Sequence, residues 1–144
     1  MNIKVVNQGK DISRVIINDP KTYNSLSTRN LLDLIKIFKK LDNDKKIKVI
    51  ILEGAGKGFS AGHNLKEVKG LKNKQKYQKL FNLCSKLMLQ IVEGRKPVIA
   101  KVHGAAYAAG CQLVASCDLA YSTKDALFAT PGVNIGLFCS TPMV

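Results

Sequence analysis

The chain has 144 residues, 46% of them hydrophobic and only 4 of them proline, a balance that excludes disordered and fibrous classes and suits one domain with a real core. Its formal charge is +13, from 23 Lys plus Arg against 10 Asp plus Glu. That excess admits an anionic partner such as nucleic acid, a membrane or a phosphorylated cofactor. The lysines are spread along the chain with no compact arm and no interleaved aromatics, so they read as a solvated surface rather than a nucleic-acid site, and a phosphorylated small molecule stays compatible.

The N-terminal "MNIKVVNQGK" carries no apolar signal region and is not an arginine-rich amphipathic leader, so there is no clear transit peptide. "DISRVIIND", residues 11–19, reads as a strand, and "DPKTYNSLS" supplies turn residues, with Ser25 or Ser27 placed to cap a helix. Residues 28–41 carry Leu31, Leu34, Ile35, Phe38 and Leu41 at the three-and-four spacing of one helix face. "KVIILEG", residues 48–54, is a continuous apolar run ended by glycine, which suits a buried parallel strand.

"AGKGFSAG" then forms a glycine-rich loop. Residues 76–92 repeat the helical pattern through Tyr77, Leu80, Phe81, Cys84, Leu87, Met88 and Ile91, a stripe that reads as core. "RKPVIAKVHG", residues 95–104, gives a strand entered through Pro97. "AAYAAGCQLVASC" is small and helix-compatible, "DLAYST" makes a short strand, and "KDALFATPGVNIG" is a loop with room for one more. The order predicts an α/β domain with a parallel component. The closing "VNIGLFCSTPMV" stops amid apolar residues, so the chain reads as part of a longer domain and, at 144 residues alone, as prone to poor solubility or association.

Ligands in such folds sit beyond the carboxyl ends of strands. Two strand ends here feed loops of small residues, Leu52 into "EGAGKGFSAG" and Val102 into "HGAAYAAG". Gly62 permits a tight turn that leaves the N–H of His63 without a partner inside the loop. Ala108, Ala109 and Gly110 open a predicted helix whose first N–H groups also lack internal partners and whose dipole favours negative charge. Two such donors on one oxygen make an oxyanion hole, where losing one comparable hydrogen bond costs about 3–4 kcal/mol. A packed turn and a close helix contact explain the same residues without any ligand.

Other chemistries find less support. "GAGKGFS" lacks the spacing of a phosphate-binding P-loop, and no GxGxxG is present. His63 and His103 are the only histidines, too few for a three-histidine metal site, so no metal residue is assigned. The His63 ring is a base candidate, though the residue reads better as a loop histidine used through its backbone. Cys84, Cys111, Cys117 and Cys139 form no CxxC pair and read as buried free thiols, although the helix start beside Cys111 would lower its pKa. Ser60 and Ser116 lack a nucleophile-elbow pattern.

The stretches "NDPKTYNSLS", "KVIILEGAGKGFSAGHNLKEV" and "KPVIAKVHGAAYAAGCQLVASCDLAYSTKDALFATPGVNIGL" together resemble the crotonase superfamily of enoyl-CoA hydratases and isomerases. The likeness runs over almost the whole chain but only the front half of a usual family domain. Within the superfamily, "AAGCQLVASCD" and "ATPGVNIGLFCSTP" are most similar to the type 3 enoyl-CoA hydratase domain-containing subgroup. The resemblance implies a crotonase-like (ClpP/crotonase) spiral of ββα repeats, of which residues 1–144 are the N-terminal part, and homotrimers or hexamers at full length. It implies an acyl-CoA substrate or ligand in fatty acid metabolism, with no permanently bound cofactor, and hydratase (lyase) or isomerase chemistry.

By the same resemblance the two hole donors are the backbone N–H groups of His63 and Ala109. Ala61, His63, Asn64 and Leu65 would hold adenine and pantetheine, and Lys21 and Lys66 the CoA phosphates. The family's two water-activating glutamates fall on Gln112 and Gly132, neither able to act as a general base, and Asn64 replaces a frequent aspartate. Glu67 and Asp118 are nearby carboxylates that read as a surface group and a turn or helix-end group. The expectation is an acyl-CoA-binding hydratase/isomerase-like protein with weak or no hydratase activity, the alternative being a non-catalytic acyl-CoA-binding or interaction protein. No membrane span or nucleic-acid partner is expected, and the location is intracellular, cytoplasmic or mitochondrial.

Overall fold

The computed structural model describes residues 2–136, so Cys139 and the end of the apolar C-terminal stretch lie outside the described residues. Strands β1 (Ile3–Gln8) and β2 (Ile12–Ile17) form an antiparallel hairpin that turns at Gly9. Helix α1 (Thr28–Asn43) follows, then β3 (Val49–Gly54), α2 (Leu65–Gly70), α3 (Lys74–Val92), β4 (Val98–Val102), β5 (Ala105–Tyr107), α4 (Ala109–Ala115), β6 (Leu119–Ser122) and β7 (Leu127–Ala129). A five-stranded sheet runs in the order β1-β2-β3-β4-β6, parallel except for β1, and a small sheet pairs β5 with β7. An isolated bridge from Ser60 to Ala106 extends the small sheet by one step.

This arrangement repeats a simple unit. β3 leads to the Ser60 bridge and then to α2 and α3; β4 leads to β5 and then to α4; β6 leads to β7 and then to a 3-10 turn at Pro131–Ile135. Each pass adds one strand to the large sheet and one short step to the small sheet. The expected ββα repeat is therefore present.

The core is one apolar cluster between the large sheet and the α1–α3 pair. Leu31, Leu34, Ile37, Phe38 and Leu41 of α1 face it, with Leu80, Cys84, Leu87, Met88 and Ile91 of α3. Val15, Ile17, Ile50, Leu52, Val98, Ala100 and Val102 supply the sheet side, as alternating side chains of strands do. The Ser27 hydroxyl caps α1 by accepting from Asn30 N at 3.3 Å, and Asn73 caps α3 by accepting from Lys76 N at 3.0 Å. α1 continues through Asn43 rather than ending at 41, since Asp42 and Asn43 complete its last turn.

Three expectations are corrected here. Residues 3–8 form a strand that the sequence reading left unassigned, because only Ile3 of the six is buried and the apolar alternation is lost. Residues 105–107, read as helix-compatible, are β5, held in register by β7 and the bridge to Ser60. Phe81 is half-exposed rather than core, and Cys117 and Cys111 are only partly buried, whereas Cys84 is buried. Burial pushes the Cys84 thiol up to about 11; burial and then the Asp118 charge push Cys117 up to about 12. Among the described residues no helix is long and apolar enough to cross a membrane.

Phe59 is fully buried in the loop after β3 and ties that loop to the core. Phe59→Ala should cost about 3–5 kcal/mol of unfolding free energy, measured by denaturant titration, through lost burial and an unfilled cavity.

Candidate functional site

The loop after β3 and the loop after β4 meet beyond the carboxyl ends of their parallel strands. Residues 58–62 run between two other segments. On one side, Ala61 N donates to Tyr23 O at 3.0 Å, Leu26 N donates to Gly62 O at 2.8 Å, and the Ser60 hydroxyl donates to Asn24 O at 2.9 Å. On the other, Phe59 N and Ser60 N donate to Ala105 O at 3.0 and 3.1 Å, and Tyr107 N donates to Ser60 O at 2.9 Å.

Asn24 fixes the first contact. Its backbone is left-handed, with φ 55°, and its side chain is wholly buried. The amide nitrogen donates to Ala55 O at 2.7 Å and Gly58 O at 2.9 Å, and its oxygen accepts from Asp19 N at 2.9 Å. Asparagine tolerates this backbone region and mimics a turn with its side chain, so one residue both bends the chain and ties down the glycine loop. The sequence reading passed over Asn24 and the structural use of Ser60; an Asn flanked by turn residues was the available signal.

The second contact depends on missing side chains. Gly62 has φ 83°, and a methyl group there would lie 2.9 Å from Tyr107 O and 3.0 Å from Ala109 N. A methyl at Gly110 would lie 2.3 Å from Ser60 O. His63 follows Gly62, and Ala109 is the first residue of α4, so the two residues singled out from the sequence sit on segments in direct contact. Among the described residues, neither His63 N nor Ala109 N donates to a backbone carbonyl outside its helix. α4 has seven residues, about two turns, so it offers its first N–H groups rather than a long aligned dipole.

Ala108, which precedes that N–H, has φ 49° and ψ −121°, a backbone region costly to a residue with a Cβ. Its own N–H donates to Ala129 O at 2.8 Å, which holds the strained residue in place and ties it to β7.

The remaining sequence-selected residues have diverse placements. The His63 ring is partly buried, with Nδ1 3.2 Å from Leu26 O, so Nδ1 carries the proton; its ring meets Phe81 edge-on with centroids 5.2 Å apart. Burial lowers its pKa below 6.5, against smaller upward effects from the Leu26 carbonyl and Glu67. Asn64 caps α2, its side-chain oxygen accepting from Lys66 N at 3.1 Å and Glu67 N at 3.2 Å. Ala61, Leu65 and Lys66 are exposed, and Lys21 is exposed on the 3-10 turn Pro20–Thr22. Gln112 is partly buried on α4, and Gly132 is buried in the last 3-10 turn.

The two other carboxylates have structural partners. Glu67 does more than sit on the surface, since its oxygens accept from Thr28 N at 3.0 and 3.3 Å at the start of α1. Asp118 accepts from Val98 N at 2.7 Å, which anchors the start of β4. Glu53, a buried carboxylate not singled out from the sequence, pairs with Arg14 at 2.8 Å through Nε and with Lys101 at 3.5 Å, linking three strands. Two surface grooves, of about 530 and 670 Å³, run along α3 and between α1 and α3; neither is lined by residues 60–63 or 107–110.

Comparison with known proteins places these loops in context. The family model described as enoyl-CoA hydratase/isomerase matches residues 7–143. The mitochondrial enoyl-CoA hydratase domain-containing protein 3 of Xenopus laevis is 46% identical over 142 residues, covering 99% of this chain and 48% of that protein. Its Homo sapiens counterpart is 45% identical over 133 residues, covering 92% of this chain and 44% of that protein. The crystal structure of the human enoyl Coenzyme A hydratase domain-containing protein 3 matches with a TM-score of 0.93 at 42% identity, over 99% of this chain and 56% of that one. An enoyl-CoA hydratase structure from Mycobacterium smegmatis matches with a TM-score of 0.95 at 44% identity, over 99% of this chain and 55% of that one. The chain spans about half the length of the curated relatives it matches.

Three measurements test the geometry. Gly62→Ala forces a methyl into backbone at a positive φ and should destabilise the fold by several kcal/mol, whereas Ala108→Gly should stabilise it by about 1 kcal/mol, strain relief exceeding the added chain entropy. The His63 ring should titrate by NMR with a midpoint below 6.5. Because the unfolded chain then takes up that proton first, stability should be full above pH 6.5 and decline as pH falls from there to the lowered folded value.

Proposed function

The chain belongs to the enoyl-CoA hydratase/isomerase family, and from that premise we propose that its paired loops bind an acyl-CoA thioester, with the His63 and Ala109 N–H groups directed at the thioester oxygen. The observation that supports this reading is the contact of Gly62 with the N-terminus of α4, on touching segments whose His63 and Ala109 N–H groups meet no backbone carbonyl of another element among the described residues. Two N–H donors around a carbonyl oxygen stabilise an enolate-like charge more than the neutral thioester, which is the requirement for rate enhancement. Ala61, Asn64 and Leu65 are assigned to the adenine and pantetheine, and Lys21 and Lys66 to the phosphates. The Asn64 side-chain oxygen is engaged with α2, so its contribution is to shape the loop.

Proton transfer is the weak part of the site. Gln112 and Gly132 occupy the positions that the family resemblance gives to the water-activating carboxylates. An amide does not exchange a proton at neutral pH, and glycine has no side chain. Glu67 and Asp118 are engaged with backbone N–H groups of α1 and β4. The activity we propose is therefore acyl-CoA binding with enolate stabilisation and little hydration. The same two positions favour a second reading, a non-catalytic acyl-CoA-binding protein. At full length the protein is proposed to form homotrimers or hexamers and to act in fatty acid metabolism inside the cell, in the mitochondrion as its similar relatives' names indicate or in the cytoplasm.

The test uses the full-length protein with crotonyl-CoA. Calorimetry should show binding, the infrared stretch of a carbon-13-labelled thioester carbonyl should move to lower frequency on binding, and hydration should stay near background. Ala109→Pro removes one N–H at a first helical position, and with its thermal melt as a folding control it should abolish much of the frequency shift. Absence of thioester binding would overturn the assignment. Rapid hydration would overturn the reading of Gln112 and Gly132, and any thioester turnover lost with Ala109→Pro would decide for the enzyme over the binder.

A further inference from the structure

The positive charge is unevenly opposed along the chain. Residues 29–48 carry 7 basic and 3 acidic side chains, and Asp42 there is already paired with Arg95. Residues 66–79 carry 6 lysines and a single acid, Glu67. That acid faces the other way, with its carboxylate on Thr28 N. Lys66, Lys69, Lys72, Lys74, Lys76 and Lys79 are all exposed, on α2, the linker and the start of α3, and none forms an ion pair among the described residues.

The apolar neighbours of this belt are also open to solvent. Leu65, at the start of α2, is 58% exposed, and Phe81, on α3, is 45% exposed. In sequence these lysines lie between the exposed Leu65 and the half-exposed Phe81, whose ring also meets the His63 ring edge-on.

We propose that the α2–α3 belt docks the protein on an anionic lipid surface. Lysine is a flexible point charge that suits a laterally mobile layer of headgroups, and a cluster of this size lies in the range that adsorbs to acidic lipid. Each lysine near such a surface contributes about fivefold in partitioning. Leu65 and Phe81 are side chains that a bilayer interface accepts. Nucleic acid fits less well: the belt contains no arginine, the residue suited to forked phosphate contacts, and an exposed leucine gains nothing from a phosphate backbone. A single CoA would engage a few of the six lysines and leave the rest unopposed. Lys66 and Leu65 are also assigned to CoA, so the proposal rests on Lys69, Lys72, Lys74, Lys76 and Lys79, which the acyl-CoA reading does not use.

Co-sedimentation of the full-length protein with vesicles tests it. Vesicles of phosphatidylcholine containing phosphatidylserine should retain the protein, retention should fall steeply with salt, and pure phosphatidylcholine should not retain it. The triple change Lys69→Gln, Lys72→Gln, Lys76→Gln should weaken partitioning about a hundredfold. The triple change Lys39→Gln, Lys40→Gln, Lys45→Gln removes the same charge from the other cluster and should have a much smaller effect. Equal retention on both lipids, equal loss in both variants, or tighter capture by an RNA oligonucleotide than by acidic vesicles at matched phosphate would each overturn it. CoA binding by the belt variant, measured in parallel, reports on the thioester site alone.

Discussion

Residues 60–62 cross residues 105–110 at a distance that only main chain can occupy. At Gly110 even a single added carbon would fall 2.3 Å from Ser60 O, well inside contact distance. The hydrogen bonds from Ser60 N to Ala105 O and from Tyr107 N to Ser60 O need that approach, and they begin the small sheet. The large sheet could form with other residues in these loops, but the small sheet and the start of α4 could not take their present positions. Among the described residues, neither His63 N nor Ala109 N, at the two bends, donates to a backbone carbonyl of another element.

A second set of polar contacts ties the elements to one another. Asn24 ties the turn after β2 to the glycine loop, and Glu67 reaches from α2 to the first N–H of α1. Asp118 does the same for β4, and Glu53 links β2, β3 and β4 through Arg14 and Lys101. Of these carboxylates only Glu53 is buried, and loss of its partners would strand a buried charge at a cost of about 3–5 kcal/mol. Carboxylates held this way contribute to the fold's stability and orientation, and they are poorly placed to move protons to a ligand.

Elements whose pattern is local were readable in the sequence. α1 and α3 follow from apolar spacing and a Ser or Asn cap, and β3 and β4 from short apolar runs closed by glycine. β1 was missed because a hairpin edge strand with one buried residue has no alternation to detect. α2 was missed because its six residues bury no side chain and it starts from an Asn64 cap that reads equally well as a loop residue. β5 lies in a run of alanines compatible with helix, and only pairing with β7 and Ser60 decides its state. The candidate site was legible as two small-residue loops at strand ends, but their contact joins positions more than forty residues apart. Spacing cannot reveal such a contact; the family resemblance suggested it.

A site built from main-chain donors responds to substitution differently from one built from side chains. Replacing a residue at position 63 or 109 leaves an N–H in place unless the new residue is proline or cannot fit the bend. Ala108 illustrates the limit: it occupies a backbone region that glycine would take without strain, yet its N–H still reaches Ala129 O. A side-chain general base, by contrast, is lost whenever its residue is replaced by one that cannot exchange a proton. In a family site of this construction, carbonyl polarisation is the robust component and acid–base chemistry the fragile one. On the proposed reading, thioester polarisation and water activation therefore reside in different parts of the polypeptide, and Gln112 and Gly132 bear on the second alone.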